Sequence, residues 1–115
     1  MDKNQTDEPR RRVSAEGVRV SREALHLVRP INEKLGGWQA ESIRLETTAR
    51  RMKESGRHDP GVIESIRTLL GYVEEQSRQF DELVAAAPAD VARHSRVADT
   101  RRVLQMVAER LRPLL

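Results

Sequence analysis

Glu23 and His26 lie three residues apart, the spacing that sets a carboxylate and an imidazole on one face of a helix, where they could hold a divalent metal. A di-metal site in a helical bundle needs that motif twice, with two further inward carboxylates. The other histidines, His58 and His94, have Ser55 and Val91 three residues before them, so the second motif is missing and no metal site is expected. The 115-residue chain has no cysteine, which excludes disulfides, thiolate zinc ligands and cysteine nucleophiles. Gly36 and Gly37 stand outside any phosphate-loop pattern. Glu74 and Glu75 read most simply as the solvated side of a helix. No catalytic residue, cofactor or small-molecule substrate is therefore expected, and the chain reads as non-enzymatic.

The stretch His26-Leu-Val-Arg-Pro-Ile-Asn32 resembles the phosphoacceptor box of histidine kinases. That family typically has an acid directly after the histidine and one residue between the basic position and the proline. Here Leu27 follows the histidine and Arg29 abuts Pro30. These departures fall where the transfer chemistry would lie, so phosphotransfer is not expected.

Charge offers a different chemistry. The chain carries 21 Lys and Arg against 18 Asp and Glu, a net +3, which is a mixed surface with a basic tilt. The triplet Arg10 to Arg12 sits in a segment, residues 1–20, whose bases are nearly matched by acids. A second cluster, Arg50, Arg51, Lys53 and Arg57, falls at the end of a helix, and folding the chain brings Arg110 and Arg112 to the same end. These six are the candidate anion or nucleic-acid contacts. Bases also gather at helix C-termini to complement the macrodipole, and Glu54, Asp59, Glu64 and Glu109 offset much of the charge. No aromatic ladder for base stacking accompanies them.

The elements that position these residues are helices. Residues 1–20 show no sustained apolar period and read as a polar, disordered tail. From Ala24 an apolar seam runs through Val28, Ile31, Leu35, Trp38, Ser42, Leu45, Ala49 and Met52 at alternating fours and threes. It keeps phase across Pro30 and Gly36-Gly37, which predicts one long helix over about 21–55, kinked near Pro30; a break at the glycines would give two shorter helices instead. Ser55-Gly56 is a stop and Asp59-Pro60 a start. The second helix runs to about Ala87 on Val62, Ile66, Leu69, Val73, Gln76, Phe80 and Leu83, with Ile63, Leu70 and Val84 as a second stripe. The last, about 89–113, buries Val97, Leu104 and Leu111. An all-α antiparallel three-helix bundle, or a coiled-coil hairpin array, over residues 21–115 is the expected domain.

Pivoting at residues 57–58 and 88–89 sets apolar against apolar and brings Arg96 toward Asp81 and Arg102 toward Glu75. Trp38 then falls near Val73, Ser77 and Phe80. Ser42, Gln76 and Thr100 are polar positions on seams, the device by which a coiled coil fixes its register. With only three aromatic residues the core is thin, and self-association is expected. The functional expectation is a cytoplasmic helical interaction module, an adaptor, scaffold or small assembly subunit, with no membrane segment. Its partner would be a protein or a second copy, met through Trp38, Ile63, Leu70 and Val84. The alternative is a nucleic-acid-binding accessory protein that uses the basic end.

Overall fold

Ser14 opens the first helix, its hydroxyl accepting from the Gly17 amide at 2.9 Å, so one of the four unpaired N-terminal donors is satisfied. The computed structural model describes residues 14–115. From this cap α1 runs unbroken over Ala15–Ser55, 41 residues and about 61 Å at 1.5 Å per residue. Pro30 and both glycines lie inside it. The start is six residues earlier than predicted, because the Ser14 cap, the Arg19 ion pairs with Glu16 and Glu23, and Val20, half-buried four residues before Ala24, carry the helix on. Residues 15–20 thus leave the expected tail, while residues 1–13, with Arg10 to Arg12, lie outside the described residues.

Gly56 ends α1 in the left-handed region at φ 70°, where its amide reaches the Lys53 carbonyl and the Arg57 amide reaches that of Met52. Three residues later Asp59 caps α2, Pro60–Ala86, by accepting from the Gly61 amide at 2.9 Å. Ala87, before Pro88, is extended as a pre-proline residue should be, and the helix stops there.

The expected last helix is two. A single turn, α3 (Ala89–Ala92), is followed by a reversal at His94, whose Nδ1 accepts from the Arg96 amide and caps α4 (Ser95–Leu111). Pro113 then confines Arg112–Leu114 to a 3-10 turn. Among the described residues there is no strand, and α1, α2 and α4 form an antiparallel three-helix bundle.

α4 runs parallel to α1. Thr100 Oγ1 donates to Asn32 Oδ1 at 2.9 Å and Arg110 Nη1 donates to Ser42 Oγ at 2.9 Å, and both pairs are 68 residues apart. The core holds Val28, Leu45, Ile66, Val73, Phe80, Val97, Leu104 and Leu111, with Ser42 and Thr100 as its polar members. Ser42 also donates to the Gln39 carbonyl at 2.8 Å, so neither buried hydroxyl is left unpaired. The seam polarity thus fixes the height of α4 against α1. The α2–α4 pairs differ from the predicted ones: Asp81 meets Arg101 at 3.1 Å, Glu74 meets Arg112 at 2.9 Å, and Arg102 turns to Asp99 of its own helix. The separate α3 turn consumes residues at the reversal, so positions farther along α4 come level with each point of α2.

Candidate interaction face

A three-helix bundle has three grooves, one between each pair of helices, and side chains treat them differently. The α1–α4 groove is bridged by the Asn32–Thr100 and Ser42–Arg110 bonds, with Arg110 3.8 Å from Glu46. The α2–α4 groove is bridged by Asp81–Arg101 and Glu74–Arg112. Among the described residues no side-chain hydrogen bond or ion pair joins α1 to α2. These two helices meet through apolar side chains and one aromatic pair, Trp38 and Tyr72, edge to face at 5.4 Å between ring centroids and 81° between planes.

The surface beside that groove is uncharged along α2. Val62, Leu69, Gln76 and Leu83 recur every seven residues, with Ser65, Tyr72 and Gln79 three residues after each of the first three. All seven charged residues of α2 (Glu64, Arg67, Glu74, Glu75, Arg78, Asp81 and Glu82) fall outside this row. Tyr72 is 43% exposed and Leu83 55%, while Trp38 and Leu69 are half-buried. At one end of the groove Leu27, Ala87, Pro88 and Val91 line an apolar hollow of about 400 Å³, rimmed by Arg22, Glu23 and His26. At the other, Thr48, Met52 and Val62 lie in a hollow of about 380 Å³ beside Arg51, Arg57 and His58. An unsealed groove with exposed apolar and aromatic side chains has the composition of a protein contact.

Of the four residues expected to meet a partner, the structure keeps one on this face. Trp38 is there, with Tyr72 as its aromatic neighbour, one residue before Val73 and five before Ser77, the positions the pivot sets near it. Leu70 and Val84 are 7% exposed and belong to the chain's own core, because α4 covers the second stripe of α2. Ile63 is half-buried in a separate hollow of about 470 Å³ with Met52, Pro113 and Leu114. Sequence reasoning set Leu83 on the packed seam and gave Tyr72 no role; the charge-free seven-residue row was the available signal.

The six expected anion contacts do share one end of the bundle, but they are unequal. Arg110 is held by Ser42 and Glu46 with its side chain 20% exposed, Arg112 is held by Glu74, and Arg50 stands 3.9 Å from Glu46. Among the described residues Arg51, Lys53 and Arg57 form no ion pair. Arg51 and Arg57 share a hollow with His58 and the capping Asp59.

Glu23 and His26 rim the same hollow. Glu23 is bound to Arg19 at 2.5 Å, and among the described residues no group of three or more potential ligands could hold a metal. Elsewhere on the surface, Arg44 holds the Glu41 carboxyl below its ordinary range, and Arg78, then Gln79, do the same for Glu75. No described helix is long and apolar enough to cross a membrane. No family model, curated protein or solved structure matches the chain.

Proposed function

We propose that the protein is a non-enzymatic helical interaction module that docks a protein partner on the α1–α2 face. The observation that carries this reading is the contrast between grooves: two are bridged by interhelical polar bonds, part-buried between α1 and α4 and exposed between α2 and α4, and the third has none while exposing Tyr72 beside Trp38 and Leu83 farther along α2. An aromatic pair flanked by apolar side chains on a rigid helical scaffold is how an interface anchor is held ready, with little side-chain entropy left to lose on binding. The seven-residue recurrence on α2 suits a helix laid along it.

A photo-crosslinking amino acid at Leu83, with the same probe at Gln105 on the α2–α4 groove as control, tests this in the native cell. Protein adducts at position 83 and none at 105 support the reading. Equal labelling at both, or none at 83, refutes it.

Nucleic-acid binding by the basic end is the second reading, favoured by the hollow that Arg51, Arg57 and His58 line. It ranks lower because three of its six bases are already drawn toward carboxylates.

A further inference from the structure

The two edges of the α1–α2 face carry opposite charge. On α1 the outer row of positions 22, 26, 29, 33, 37, 40, 44, 47 and 51 bears Arg22, Arg29, Arg44 and Arg51 with Glu33 as its one acid. Glu41, next to the row, is tied to Arg44, while Arg22, Arg29 and Arg51 form no ion pair among the described residues. On α2 the row bordering the uncharged strip bears Glu64, Glu75 and Glu82. These acids bond only to Arg67, Arg78 and Gln79 of their own helix. The face therefore has a strip that is uncharged along α2 and carries Lys34 and Glu41 along α1, with a basic edge on one side and an acidic edge on the other.

A surface of that kind fits its own copy. We propose that the occupant of the α1–α2 face is a second copy of this chain, related by a twofold axis parallel to the helices. This rests on the docking reading above and names its partner. With the axis along the helices, α1 of each chain lies over α2 of the other, so each basic edge meets an acidic one. With the axis across the helices, α2 lies over α2 and the acidic edges confront each other.

The heights agree. Taking Trp38 and Tyr72 as level, Glu82 lies ten residues from Tyr72, about 15 Å, and Arg29 nine residues from Trp38, about 14 Å, toward the same end. Toward the other end Glu64 lies at about 12 Å, between Arg44 at about 9 Å and Arg51 at about 20 Å. The aromatic pairs of the two chains meet at the centre. The competing bonds within each helix are exposed and weak, so exchanging them for contacts across the interface costs little.

Charge reversal tests both the partner and its orientation. Glu82→Arg places a base against Arg29 of the other chain, and Arg29→Glu places an acid against Glu82. Each variant alone should dimerise about tenfold more weakly in sedimentation equilibrium, and an equimolar mixture should recover the wild-type affinity as a heterodimer. Circular dichroism reports that each variant remains folded. A spin label on Ser55→Cys reads the orientation, since the natural chain has no cysteine. Parallel copies put the two labels within about 30 Å. Antiparallel copies put them about 50 Å apart, because Ser55 lies seventeen residues beyond Trp38. A monomer at about 200 µM overturns the second copy as occupant, and a 50 Å separation, or a mixture no tighter than its components, overturns this pairing. Neither result bears on docking itself, which the crosslinks at Leu83 decide separately.

Discussion

Ser42→Ala removes the acceptor that Arg110 uses to cross the α1–α4 groove. Ser42 is fully buried, and its hydroxyl accepts from Arg110 at 2.9 Å while donating to the Gln39 carbonyl. A bond to a charged donor contributes about 1.5–3 kcal/mol, but Arg110 keeps Glu46 at 3.8 Å and is 20% exposed, so part of that is recovered. The expected loss is about 1–2 kcal/mol, or roughly 5–10 °C in Tm for a domain of this size. Arg110→Met, which keeps the apolar stem, should lose a similar amount, leaving Ser42 satisfied by Gln39. In the double-mutant cycle by urea denaturation the two should couple by about 1 kcal/mol. Additivity within about 0.3 kcal/mol would refute the reasoning: the bond would then do nothing to hold α4 in place, and the contrast between sealed and unsealed grooves would lose its energetic content.

Gly36→Ala and Gly37→Ala should each stabilise the chain by about 1 kcal/mol, since nothing lies within 4 Å of an added Cβ at either position; thermal melts check this. His94→Ala should cost about 1 kcal/mol by removing the side-chain cap of α4, whereas His94→Asp keeps an acceptor and adds a charge that suits the helix N-terminus, and urea midpoints should rank them in that order. If the basic end binds duplex DNA through Arg51, Lys53 and Arg57 alone, the slope of log affinity against log salt should not exceed about 3; a slope near 5 would mean that Arg50, Arg110 and Arg112 abandon their carboxylates.

The fold was legible because each apolar seam keeps helical phase from cap to cap. The Ala24-to-Met52 seam carried the first helix correctly across Pro30 and Gly36-Gly37, and Gly56, Asp59 and Pro60 act as their types predict. Ser42 and Thr100 stood out as polar residues on those seams, although their partners, Arg110 and Asn32, could be found only in three dimensions. The break at His94 was illegible: histidine is an uncommon cap, and neither glycine nor proline marks the turn. That break displaced every α2–α4 pairing derived from a single pivot. It also hid which stripe of α2 faces α4, and so Leu70 and Val84 looked like interface when they are core. Leu83 stands on the main seam of the second helix and reads as core, and only the packing of the third helix leaves it and Tyr72 uncovered.

Hydroxyl-radical footprinting, comparing the dilute purified chain with the chain in its native cell, tests the docking face most directly. Trp38, Tyr72 and Leu83 all react with hydroxyl radical, and Met106 on α4, 41% exposed, supplies an internal control away from the α1–α2 groove. Oxidation of Tyr72 and Leu83 should be strong in the dilute chain and suppressed in the cell, with Met106 oxidised equally in both. Equal oxidation of Tyr72 and Leu83 in the two settings, or protection of Met106 in their place, would contradict the assignment of the α1–α2 face.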